Sequence, residues 1–183
     1  MKELLQGKTH LMVKFIINQF AISIFGIMVA TPFLYNSSIL ALAGVFSVLL
    51  FYFILWYFVK EDGQKDGIKT SAKRFNGKIY AGLIYCAIAH IPSIFLAIIN
   101  VVLTVVPNLP TWLENVRMII NILVRLFLFG MFTGINSSLS EASTAFSTLS
   151  DLGITFLLYF IPTLLVCFIA YASGFKGKKI TKQ

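Results

Sequence analysis

The chain has 183 residues, 58% of them hydrophobic and only 12% charged, with a formal net charge of +8 and a mean hydropathy of +0.87. Too few polar side chains remain to cover a water-soluble domain of this size. The basic excess does not indicate nucleic acid, because no polar stretch is long enough to build a basic domain around.

Residues 1–14 form a polar head with Lys2, Lys8 and Lys14, and apolar stretches follow at 15–35, 39–59, 79–106, 116–135 and 152–173. A membrane-spanning helix takes about 20 mostly apolar residues at about 1.5 Å each. The expected fold class is therefore an all-α polytopic integral membrane protein, a single bundle over residues 1–183. It has five clear apolar spans and, with an amphipathic Ser/Thr-rich helix, about six helical elements. The first stretch reads as an uncleaved signal anchor, since it outruns a typical signal core and meets Pro32 rather than a small-residue cleavage site.

Residues 60–78 read as a basic loop, with Lys60, Lys65, Lys69, Lys73, Arg74 and Lys78 expected against anionic lipid headgroups. Its Asp62-Gly63 and Asp66-Gly67 pairs read as a charged turn, lacking the acid spacing of a calcium loop and the glycines of a phosphate loop. In the third stretch His90 precedes Pro92 by two residues. The proline removes a backbone donor, so a kink is expected, with His90 either touching a ligand or bonding the loosened backbone. Cys86 and Cys167 lie in apolar stretches and read as buried free thiols.

Glu114, Arg117, Asn121 and Arg125 follow one another at three, four and four residues, which places them in one stripe on a helix. Arg125 sits well inside an apolar stretch, where a charge costs about 2.5–3.5 kcal/mol on insertion scales and demands a partner or a wet cavity. Guanidinium forks suit carboxylate and phosphate, so an anion is one expected partner. The other reading pairs Arg117 with Glu114 or Glu141 and gives Arg125 hydroxyls and helix-end carbonyls. Gly130 and Gly134, four apart, suit close helix packing within the bundle, and Gln19 reads as interhelical glue or polar lining. Beyond them Ile135, Leu139, Ala142, Phe146 and Leu149 recur every three or four residues among serines and threonines. This pattern predicts an amphipathic helix over 135–150 with Leu139, Ala142, Phe146 and Leu149 packed and the Ser/Thr face towards polar surroundings.

Lys and Arg are absent from 36–38, 107–115 and 136–151 but crowd the head, residues 60–78 and the tail 174–183. The positive-inside rule then places head, loop and tail in the cytoplasm, as a multi-pass plasma-membrane protein. Five plain crossings would leave the tail outside, so one element between 107 and 151 is expected not to be an ordinary crossing.

No metal-ligand cluster, nucleophile elbow or His-Glu-x-x-His run occurs, so no catalytic residue, metal or cofactor is expected and the chain does not read as an enzyme. The function expected is a small membrane transport protein, or the membrane subunit of a transporter, handling an anionic solute or lipid. Its expected ligand residues are Arg117, Asn121, Arg125, Glu141 and His90. The alternative is a non-catalytic partner, assembly or regulatory subunit of a larger membrane complex. The partners expected are a bilayer with anionic headgroups and another membrane protein, and no nucleic acid. In size, helix number and placement of the termini the chain resembles the substrate-binding subunits of energy-coupling-factor vitamin transporters, a resemblance of architecture without a shared motif.

Overall fold

The computed structural model describes residues 8–73, 77–151 and 154–177. Arg74 and the lysines at 2, 178, 179 and 182 lie outside the described residues. The described chain is helical, with no strand among its residues: α1 Thr9–Ala30, α2 Ser37–Ser71, α3 Ala81–Ala89, α4 Ile91–Val105, α5 Thr111–Leu123, α6 Thr133–Ala142, α7 Thr144–Asp151 and α8 Thr155–Lys176. Three helices are long and apolar enough to cross a membrane, and the number rises to five if each of two bent pairs, α3 with α4 and α5 with α6, counts as one span. Met28, Leu42, Leu49 and Phe53 stand exposed on the long helices, an apolar surface that suits lipid rather than water.

Four sequence expectations meet differences. Residues 60–71 are not a loop, because α2 runs on through Ser71. Lys and Glu are good helix formers, Glu61 pairs with Lys65 one turn on at 2.6 Å, and both glycines of the segment are packed rather than turned. The stretch 116–135 is not one straight span, since the helix breaks after Leu128 and the pair α5–α6 bends by 78°. The helix expected over 135–150 forms in two pieces. Ser143 is extended (φ −147°, ψ 121°) and its hydroxyl accepts the Phe146 N–H at 3.4 Å, so a serine starts a new helix inside the periodic pattern. Leu139, Ala142 and Leu149, expected to be packed, are exposed, the two leucines to 42% and 37%. The break in the third stretch falls where expected. His90 closes α3, and Pro92 stands in the first turn of α4, where a missing N–H costs least.

The chain divides into two compact units. The first holds the described parts of Met1–Asn18, Tyr52–His90 and Ile161–Gln183. Its core is Phe15, Leu55, Val59, Tyr85, Cys86, Cys167 and Tyr171. Phe15 of α1 meets Phe58 of α2 edge-on at 5.3 Å, and Lys8 meets Asp66, so these helices run antiparallel. Gly63 and Gly67 of α2 lie against Tyr171 and Phe175 of α8, equal steps in the same direction, so α2 and α8 run parallel. A Cβ on Gly63 would sit 2.5 Å from the Tyr171 carbonyl oxygen and one on Gly67 2.7 Å from that of Phe175. Gly174 answers from α8, pressed onto the Lys60 carbonyl. Gly82 of α3 lies on the Tyr171 side chain, and one turn along Cys86 faces Cys167, so α3 is antiparallel to α8. Within this unit α1, α2, α3 and α8 thus alternate in direction.

The second unit holds Gln19–Phe51 and Ile91–Phe160. Here α4 and α5 form an antiparallel hairpin around Ala97 and Val124, with Leu96, Ile120, Leu128 and Tyr159 packed on the pair. Past Leu128 the chain follows α1 from Gln19 to Gly26. It then follows α2 backwards, with Gly134 against Leu40 and Gly44 and the Ser138 hydroxyl bonded to the Ser37 carbonyl at 3.1 Å. Gly130 and Gly134 thus pack on two different helices of one bundle. Gly134→Val and Gly174→Val should each lower the stability of the detergent-purified protein by about 1–3 kcal/mol, as overpacking does, measured by thermal unfolding.

Candidate functional site

The polar stripe of α5 leads into an irregular stretch. Val124–Leu128 forms a π-helical turn, closed by the Phe129 N–H on the Val124 carbonyl at 3.1 Å, and Gly130–Phe132 forms a 3₁₀ turn before α6 begins. In hydrocarbon such a break persists only if its freed polar groups are answered by protein or water. Two side chains one turn apart on α1 do this. Gln19 Nε2 donates to the Leu128 carbonyl at 3.1 Å, and the Ser23 hydroxyl accepts the Gly130 N–H. Ser93 of α4 donates in turn to Gln19 Oε1 at 3.2 Å. Gln19 is therefore the brace of the broken helix.

Arg125 lies in the π turn and lines a cleft of about 80 Å³ together with Phe129, Phe132, Thr133, Asn136, Ser137 and Tyr159. The Tyr159 ring lies flat on Phe132, centroids 3.9 Å apart, and its hydroxyl donates to Asn136 Oδ1 at 2.8 Å. Arg125 is exposed, and among the described residues no carboxylate forms an ion pair with it or with Arg117. The expected pairing of Arg117 with Glu114 or Glu141 is not formed. The cleft also meets the N-terminal turn of α6, which no side chain caps. A guanidinium, two hydroxyls and the positive end of a helix suit a small oxyanion. The volume holds the equivalent of about two or three waters, enough for a carboxylate or phosphate group.

The other expected ligand residues are not gathered at this cleft. Asn121 stands one turn before Arg125, half-buried, its Oδ1 enclosed without a donor, as is that of Asn100 on α4. Glu141 is exposed near the end of α6, beside a shallow depression with Ser37, Ser38 and Ser138. His90 belongs to the first unit, buried, with Nδ1 2.8 Å from the Cys86 carbonyl and its ring edge-on to Phe15. Lys65, Lys69, Lys73 and Lys78 are exposed, whereas Lys60 is half-buried. Hydrogen bonding to Tyr80 holds the Lys78 ammonium above the usual lysine pKa, so it stays charged.

One constellation went unread in the sequence. The Lys8 ammonium, buried, sits between the carboxylates of Asp62 and Asp66, with Asp66 Oδ1 at 2.9 Å. The Tyr171 hydroxyl donates to Asp66 Oδ2 at 2.7 Å, and the Tyr85 ring lies under the ammonium, 5.4 Å from its centroid. The signal was present. Two aspartates four apart, each followed by glycine, put carboxylates on one helix face and flat backbone on the next. Reading the segment as a turn concealed it.

Asp66 is 1% exposed and Asp62 20%. Asp66→Ala should therefore destabilise the protein by about 3–5 kcal/mol, the range for breaking a buried ion pair. Asp62→Ala should cost less, about 1–3 kcal/mol, since water reaches that carboxylate. Chemical or thermal unfolding of both variants in one detergent checks the order.

No protein-family model, no curated protein and no solved structure matches the chain, so the architectural resemblance to vitamin-transporter subunits gains no support.

Proposed function

We propose that the chain is a small membrane transport protein, or the membrane subunit of a transporter, that binds an anionic group at the Arg125 cleft. The observation carrying this reading is the broken helix α5–α6, whose irregular turns hold a guanidinium that pairs with no carboxylate among the described residues, beside the start of α6. Discontinuous helices that aim a positive helix end at an anion are a recurrent way to build a substrate site within a membrane. Non-helical backbone at membrane depth is tolerated where it is enclosed by protein or lines a cavity.

The threading proposed has four crossings, α1, α2, α3–α4 and α8, with α5–α6 dipping in and returning on the side it entered. Two observations support it. The helices α1, α2, α3 and α8 alternate in direction where they pack together. Among the described residues, every lysine belongs to the unit holding the start of α1 and the ends of α2 and α8, and only Arg117 and Arg125 belong to the other. The positive-inside rule then sets that unit at the cytoplasmic face of the plasma membrane, with both termini inside and Lys65, Lys69, Lys73 and Lys78 at anionic headgroups.

In proteoliposomes offered labelled carboxylates and phosphate, Arg125→Leu should abolish uptake while leaving the thermal unfolding temperature of the bundle unchanged. Arg125→Lys keeps the charge but loses the fork, and should weaken uptake about tenfold. Normal uptake by surviving Leu variant would sink the anion site. A reporter fused after residue 183 should register as cytoplasmic, and an external signal would refute the four-crossing threading.

A further inference from the structure

We infer that Asp62, Asp66, Tyr171 and Tyr85 form a binding site for a primary ammonium on an unbranched stem, which Lys8 occupies as a tethered ligand. This inference does not rest on the Arg125 reading. The parts are those such a cation needs. Two carboxylates accept its hydrogens, Asp66 Oδ1 at 2.9 Å, and an aromatic face lies 5.4 Å away. Asp66 is almost wholly buried and is pre-oriented by the Tyr171 hydroxyl, so the acceptor geometry does not depend on the cation. The helix surfaces that carry these groups are locked together by Gly63, Gly67 and Gly82.

The charge count is the second observation. Two carboxylates face one ammonium, one negative charge more than Lys8 offsets. A cleft of about 110 Å³ is lined by Lys8 and Asp62 together with Leu11, Phe58, Lys14 and Lys65. It leaves the Lys8–Asp62 side of the enclosure open to an incoming amine. Lys8 immediately precedes α1, so its ammonium is held at the site by the chain itself, at an effective concentration a free amine must exceed to displace it.

Two sources share this chemistry, a free alkylamine and the ethanolamine headgroup of a phospholipid, and the test separates them. Lys8→Ala deletes the stem and ammonium, the atoms of n-propylammonium. The purified variant should unfold about 5 °C or more below the wild type, in keeping with the loss of a buried partner. Millimolar n-propylammonium chloride should restore at least half of that shift in a saturable way, whereas tetramethylammonium at equal ionic strength should not. The wild type should not respond. Recovery in phosphatidylethanolamine but not phosphatidylcholine nanodiscs would assign the lipid source. Lys8→Met, which refills the stem without the charge, should not respond to either. Absence of rescue by both n-propylammonium and phosphatidylethanolamine, equal rescue by tetramethylammonium, or a variant that aggregates at every amine concentration would each overturn the inference.

Discussion

Close approach of helix backbones at glycine is the constraint on which the rest of this structure depends. Lipid tails are as apolar as leucine, so helices in a membrane gain little by burying apolar surface against one another and associate through tight packing and polar contacts instead. In the first unit Gly63, Gly67 and Gly174 bring α2 and α8 so near that an added methyl would overlap a carbonyl oxygen. Only at that spacing does the Tyr171 hydroxyl reach Asp66, and only then is the carboxylate shielded enough to need the Lys8 ammonium. In the second unit Gly26, Gly44, Gly130 and Gly134 do the same for the broken helix.

That broken helix shows how polar groups on one element permit irregularity on another. Gln19 and Ser23 lie on α1 one turn apart, and each meets one backbone group released by the π and 3₁₀ turns. The bend then sets Arg125 on a cleft with Thr133, Asn136 and Ser137 rather than along a straight stripe with Arg117. Helical spacing assumes regular turns. A π turn adds a residue and so shifts the register of the residues beyond it.

The two kinds of charge are handled differently. Lys8 is enclosed with carboxylates on the neighbouring helix, which offset the cost of removing it from water. Arg125 keeps its exposure, and among the described residues no carboxylate forms an ion pair with it. Among the described residues, two carboxylates stand at the first site and none pairs with the guanidinium at the second.

Hydropathy by itself determined the helical class and the approximate stretches apolar enough to cross a membrane. These follow from local composition and from the cost of exposing apolar or charged groups to the wrong solvent. The kink by His90 was legible too, being set by residues within a few positions of one another. Tertiary structure decided the rest. The continuation of α2 through Asp62 and Asp66 depends on α8 lying against Gly63 and Gly67, more than a hundred residues away in the chain. The break after Leu128 depends on α1 supplying Gln19 and Ser23, and Lys8 finds its carboxylates on another helix altogether. Glycine, serine and aspartate have turn chemistry when read locally. They become helix-packing and buried-pairing residues only when a second helix replaces water as their neighbour.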